Sequence, residues 1–167
     1  MITLNDDLLP AEIDILNKLT NIELDFSAMT VVTNLYRAVQ AMRVKMEQEV
    51  LSKYNLSWTA FSMLYNLWIW NAMETRSLAK SMGVTVATVS SVANTMEKRG
   101  LVQRSVDPND RRLVLLSLTD EGKNVMDVLF PDFNRKESEI VAGLSEDDLA
   151  YLARMLRRIN KNILALD

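Results

Sequence analysis

The sequence predicts a mainly α-helical protein carrying one small β-hairpin, and three stretches carry that prediction. The first is Ser77–Gly100, where a short helix, a tight turn at Gly83 and a longer helix closed by Gly100 follow one another. Gly83 supplies the backbone freedom the turn needs, and Gly100 stands where helices end in a left-handed residue. The second is Leu101–Leu118, two strand-like runs separated by Asp107-Pro108-Asn109-Asp110, a strong turn signal. The third is a pair of apolar stripes at helical spacing, one near each end of the chain. A hairpin directly behind two such helices is a winged helix-turn-helix, here flanked by N- and C-terminal dimerisation helices. The expected divisions are 1–55 for an N-terminal arm and long dimerisation helix, 56–118 for the winged helix-turn-helix, and 119–167 for C-terminal dimerisation helices.

In chain order, Met1–Thr30 is acidic (Asp6, Asp7, Glu12, Asp14, Glu23 and Asp25 against Lys18) yet carries Leu8, Leu9, Ile13, Ile15, Leu16, Leu19 and Ile22. With Pro10 placed to open a helix, this reads as a short amphipathic arm that completes a dimer. Val31, Val32, Leu35, Val39, Met42, Met46 and Val50 then recur at steps of three and four, predicting a long helix ending near Tyr54-Asn55. Ser57 reads as the N-cap of Trp58–Trp70, which is apolar nearly all round and so buried from several sides. Its aromatic residues suit a core better than a ligand pocket.

Met73-Glu74-Thr75 is a short strand leading into the helix-turn-helix. In the second helix Val86, Val89, Val92, Ala93 and Met96 share one face, while Ala87, Thr88, Ser91, Asn94, Thr95 and Lys98 share the other. That outer face, opening at Thr85, is small and polar, which suits a helix entering a DNA major groove. Asn94 is able to take adenine N6/N7, and stronger electrostatic terms are expected from Arg76, Lys80, Lys98, Arg99, Arg111 and Arg112 around it. The two arginines at the hairpin tip would reach the minor groove or phosphates beside that helix.

Beyond the hairpin, Thr119 caps a helix whose first turn carries Asp120 and Glu121, favourable against the helix dipole. Pro131 is expected to kink it, at a cost of about 3 kcal/mol, and Gly143 to end it. Ser145 with Asp148 resembles a capping box for the last helix. There Leu149, Leu152, Leu156, Ile159, Ile163 and Leu166 form a heptad seam. Neither this seam nor the long N-terminal stripe has enough intrachain partners, so a homodimer is expected.

Composition bounds the alternatives. A hydrophobic content of 49% with 25% charged residues describes a globular chain, not a disordered one. The net charge of −3 is unevenly spread: Ala72–Leu118 carries +3 and the rest −6, a basic module in an acidic frame. Cysteine and histidine are absent, which excludes a structural zinc site, a thiol switch, a Ser-His-Asp triad and a Cys-His nucleophile. No glycine-rich phosphate loop or hydrolase motif occurs, so neither an enzyme nor a metal or other cofactor is expected. The start lacks a signal-peptide pattern and no apolar run approaches the roughly 20 residues of a membrane span, so a cytoplasmic location without membrane contact is expected.

Leu56–Leu64, Ser77–Val84, Thr88–Val102, Asp107–Arg112 and Leu118-Thr-Asp-Glu-Gly122 together resemble the MarR family of bacterial winged-helix regulators. The resemblance runs from about Val31 to the C-terminus, and its most specific part is Asp-Arg-Arg followed by Leu-Thr-x-x-Gly. It implies a dimeric DNA-binding transcription factor, commonly a repressor released by small, often phenolic, ligands. The family's wing pattern falls on Asp110 and Arg112, with the arginine expected in the minor groove and the aspartate holding it. Many members carry Arg at the positions of Ser91 and Thr95 and Asp at that of Asn94, where this chain is neutral.

The candidate DNA-binding residues are therefore Arg76, Lys80, Thr85, Thr88, Ser91, Asn94, Thr95, Lys98, Asp110, Arg111 and Arg112. A small aromatic or amphipathic effector is expected against Tyr36, Trp58, Phe61, Met63 and Tyr65, with Arg37 or Arg43 for an anionic group. The alternative is a winged-helix protein–protein interaction module without DNA specificity of its own, which would have no need of Arg76, Lys98, Arg111 and Arg112 on one side.

Overall fold

The computed structural model describes residues 8–19, 22–107 and 113–166, and the chain divides into two compact units, 1–44 and 45–167. The hairpin tip, Pro108 to Arg112, lies outside the described residues.

In the first unit, α1 (Pro10–Lys18) opens on its proline as expected. Glu12 is buried: its Oε2 accepts from the Leu9 N–H at 2.8 Å, and its Oε1 accepts from Asn34 Nδ2 on the next helix, α2 (Phe26–Glu49), at 2.7 Å. A buried carboxylate needs such donors, so this one residue both caps α1 and ties it to α2.

The long helix α2 spans Phe26–Glu49, and its last turn belongs to the second unit. It starts earlier than the stripe suggests and does not reach Tyr54 as an α-helix. Leu51–Tyr54 is instead a 3₁₀ turn, ended by Asn55 at φ 53°. A tighter turn stopped by a left-handed residue reverses the chain while Val50 and Leu51 stay buried.

In the second unit, α3 (Trp58–Trp70) is capped by Ser57, whose Oγ accepts from the Ala60 N–H at 3.2 Å. Glu47 Oε1 takes the Trp58 N–H at 2.6 Å, so the end of α2 satisfies another free donor of α3. The helix is less enclosed than its composition suggests. Phe61, Met63, Leu64 and Leu67 are buried, but Tyr65, Ile69 and Trp70 are exposed, Trp70 at 65%.

Three short strands, β1 (Met73–Glu74), β2 (Val102–Val106) and β3 (Val114–Leu118), form an antiparallel sheet in the order β1-β3-β2. Val102 faces Leu118 and Val106 faces Val114, so β2 and β3 are the predicted hairpin. Between β1 and β2 lie α4 (Thr75–Met82) and α5 (Val86–Lys98). The core joins Leu78 of α4, Val89, Ala93 and Met96 of α5, Leu64 and Leu67 of α3, and Leu116 and Leu118 of β3.

Helix α6 (Asp120–Ile140) is capped by Thr119, whose Oγ1 accepts from the Gly122 N–H at 3.0 Å. It passes through Pro131 as one helix and ends at Ile140, short of Gly143. A ladder of rings joins it to α3: Phe61 stacks on Phe133 with centroids 4.3 Å apart, and Tyr65 stacks on Phe130 at 5.6 Å. The aromatic-core reading of α3 therefore holds for Phe61.

The last helix, α7 (Glu146–Leu164), has the predicted capping box at Ser145 and Asp148. The Ser145 hydroxyl and N–H both donate to the Asp148 carboxyl and hold its pKa below the ordinary 3.8. No residue of α7 is buried by the described residues.

Candidate nucleic-acid interface

Two polar turns present α5. Gly83, at φ 65°, closes α4 in the left-handed conformation that glycine adopts without strain. Thr85 then caps α5, its Oγ1 accepting from the Thr88 N–H at 3.1 Å and lying 2.8 Å from the Thr88 hydroxyl. These two threonines thus spend part of their hydrogen-bonding capacity within the helix turn.

On the outward face, Ala87, Ser91, Asn94, Thr95 and Lys98 are exposed, Thr88 is half-buried, and Arg76, Lys80 and Thr85 are exposed beside them. The inward face carries Val89, Ala93 and Met96, all buried. Val86 departs from the expected pattern: it is 46% exposed, because as the first residue of the helix it stands at the turn instead of over the core. Thr95 Oγ1 donates to the Ser91 carbonyl at 3.2 Å, leaving its methyl and lone pairs as its outward groups.

Two arginines differ from expectation. Arg99, expected among the electrostatic contacts around α5, turns back instead: Nη1 donates to the Asn55 carbonyl at 2.8 Å and Nη2 to the Tyr54 carbonyl at 2.9 Å. Both acceptors are end-of-helix carbonyls of the 3₁₀ turn, which favour a cation. Arg104 of β2 lies outside the expected contacts. It reaches across to α5, pairing with Glu97 and donating from Nη2 to Asn94 Oδ1 at 2.7 Å. The sequence signal for it was the opposite charge at Glu97, carried past the turn at Gly100. Asp110, Arg111 and Arg112 lie outside the described residues.

The expected effector residues divide between the two units. Tyr36, Arg37 and Arg43 belong to the first unit, while Trp58, Phe61, Met63 and Tyr65 belong to the second. Tyr36 is exposed, and Arg37 Nη1 is buried without a hydrogen-bond partner among the described residues. Met63 is fully buried and Phe61 is committed to its stack on Phe133, so neither faces open space. A cleft of about 400 Å³ does open elsewhere in the second unit, lined by Trp68, Asn71, Gln103, Ser117, Lys123 and Asp127 among others. None of the seven expected residues lines it. Among the described residues no group of acidic side chains is placed to hold a metal, and no helix is long and apolar enough to cross a membrane.

Comparison with known proteins gives this geometry a setting. A MarR family model matches residues 56–114, the stretch from the start of α3 into β3. The HTH-type transcriptional regulator YwaE of Bacillus subtilis (strain 168) is 47% identical over 155 residues, covering 91% of each chain. The structure of Bordetella bronchiseptica BpsR, whose DNA binding is regulated by 6-hydroxynicotinic acid, is 26% identical with a TM-score of 0.71, covering 78% of this chain and 98% of that one. A cysteine-to-serine mutant of E. coli MarR, complexed with operator DNA, shares the fold at 21% identity, with a TM-score of 0.70 over 82% of this chain and 98% of its own.

Proposed function

The chain belongs to the MarR family of DNA-binding transcriptional regulators, and on that premise we propose that it acts as a repressor, binding a pseudo-palindromic operator as a homodimer and released by a small aromatic or phenolic ligand. Regulators of this family are not enzymes.

The observation that carries the DNA-binding site is the outward face of α5. It presents only short polar groups at Ser91, Asn94 and Thr95, with Arg76, Lys80 and Lys98 exposed around them in an otherwise acidic chain. Short groups let a helix sit deep in a major groove, while flanking cations take the phosphates. On sequence grounds we assign Arg111 and Arg112 to the same interface, with Asp110 in support of Arg112.

Homodimerisation is supported by the bare apolar faces of α2 and α7. Val31, Val32 and Val39 on one, and Leu152 and Ile163 on the other, are large apolar residues left exposed in a single chain. A second copy covering them would relate two α5 helices by a two-fold axis and set half-sites one helical turn apart, about 34–36 Å. Ligand release is supported by the likeness to BpsR. Arg37, with a buried and unpaired guanidinium nitrogen, is the residue we assign to an anionic group of the ligand.

A gel shift with DNA from the gene's own promoter region, read beside light scattering of the free protein, tests the reading. The expected result is one salt-sensitive shifted band and a mass of two chains. No shift at micromolar protein in low salt would reject DNA binding by this chain, and a stable monomer would reject the dimer.

A further inference from the structure

Arg104 holds the side-chain amide of Asn94. An unconstrained asparagine on a recognition helix offers an acceptor and two donors, the pattern that matches adenine N7 and N6–H₂. Here the acceptor is already taken. Arg104 Nη2 donates to Asn94 Oδ1 at 2.7 Å, and the same guanidinium is held in place by its ion pair with Glu97 one turn along α5. Arg104 is itself anchored in the β2–β3 ladder, where it faces Leu116. The amide is thus fixed from a second element, with its oxygen towards the sheet and its Nδ2 donors left over.

We infer that Asn94 is a donor-only reader selecting guanine or thymine, and that Arg104 is the positioning residue that makes it so. The inference rests on the reading that α5 enters the major groove. Asn94 Oδ1 keeps a second lone pair, but a further donor brought to it meets the positive charge of Arg104 a hydrogen bond's length away. Adenine N6–H is such a donor: adenine N7 can accept from Nδ2, but the neighbouring N6–H is then turned towards Oδ1 and the guanidinium. Guanine presents two adjacent acceptors, O6 and N7, and thymine presents O4; each accepts from Nδ2 without approaching the guanidinium. Cytosine, whose major-groove group is the N4–H₂ donor, is the poorest match. Arg104, with two of its five donors committed inside the protein, acts on the base through Asn94.

The test uses the full-length chain and a random duplex pool at fixed salt, followed by competition among duplexes differing at one base pair. The pair read by Asn94 is the one at which Asn94→Ala loses its preference. At that pair the wild-type chain is expected to favour guanine or thymine over adenine by about five- to tenfold, the lower end of what one good base contact discriminates. Arg104→Met keeps the aliphatic stem and frees Oδ1, so adenine should rise to at least equal guanine. Glu97→Gln removes the charge but leaves a side-chain oxygen to accept from Arg104 Nη1, so the Arg104–Asn94 bond and the guanine or thymine preference should be kept, which separates the hold on the amide from general loosening of the sheet.

A wild-type preference for adenine at that pair overturns the inference. So does an unchanged base preference in Asn94→Ala or Arg104→Met, or a shift in Glu97→Gln equal to that in Arg104→Met. Should the wild-type chain enrich no sequence at all, the reading of α5 as a major-groove helix fails first and the inference with it.

Discussion

Helices α5 and α7 begin alike and end differently. Each opens on a hydroxyl cap, Thr85 or Ser145, that accepts a backbone N–H three residues on. Each also carries apolar residues at helical spacing. Yet α5 buries Val89, Ala93 and Met96 within the chain, whereas no residue of α7 is buried among the described residues. A short helix draws most of its stability from packing of its apolar face, not from propensity. Under the proposed dimer, the difference means that α5 is a finished part of a single chain and α7 is half of a structure that a second chain would complete.

Four measurements would break or sharpen that contrast. The largest effect is expected from Leu152→Glu combined with Leu156→Glu, which puts charge into the α7 seam. The mass by light scattering should fall to one chain, and operator binding should weaken by about 10²-fold or more, because two linked half-site contacts become separate ones. A variant that stays dimeric and binds as before would show that α7 is not the completing surface.

Met96→Ala should cost about 2–5 kcal/mol, the range for removing a buried methionine side chain. Its penalty should be the same at low and high protein concentration in thermal melts, since α5 packs within its own chain. A concentration-dependent penalty would mean that the winged module is stabilised across the dimer instead.

Arg112→Ala is expected to weaken operator binding by about 1–3 kcal/mol without altering the melting temperature, with more loss at sites whose wing position is A·T-rich. Asp110→Ala should act in the same direction and less. Equal affinity of Arg112→Ala and wild type in a titration at fixed salt would remove the wing from the interface.

The smallest effect belongs to the α7 cap. Ser145→Ala should cost about 1 kcal/mol, the usual value for a lost hydroxyl cap. The depressed pKa of Asp148 adds a pH dependence of definite sign. A carboxyl that is easier to ionise in the folded state stabilises it above its ordinary value of 3.8, and that contribution disappears as the pH falls through the lower folded value. Melts from pH 6 downward should therefore show the gap between Ser145→Ala and wild type shrinking with acid. A gap that is constant with pH would mean that Asp148 does not take part.

Local chemistry is readable from the sequence alone. Ser57, Thr119 and Ser145 all cap the helices their positions imply, Gly83 adopts the turn conformation assigned to it, and β2 and β3 pair as the turn signal between them requires. Each depends on residues within a few positions of one another, so the pattern in the chain and the pattern in space are nearly the same. The winged module is legible for that reason, and so are the apolar stripes of α2 and α7.

Long side chains are less legible, because their partners are set by which distant segments meet. Arg99 and Lys98 are neighbours in sequence, and both read as cations for DNA; folding brings the carbonyls of Tyr54 and Asn55 to Arg99 and leaves Lys98 exposed. Asn94 reads as a free amide until β2 carries Arg104 to its oxygen, ten residues further along the chain. Phe61 and Met63 fit a pocket or a core by composition, and it is tertiary packing that buries both, with α6 bringing Phe133 to stack on Phe61. Helical period, caps and turns are short-range effects that a sequence states outright. A hydrogen bond made at about 2.9 Å by a flexible arginine depends on tertiary placement to within an ångström, and only the folded chain supplies that.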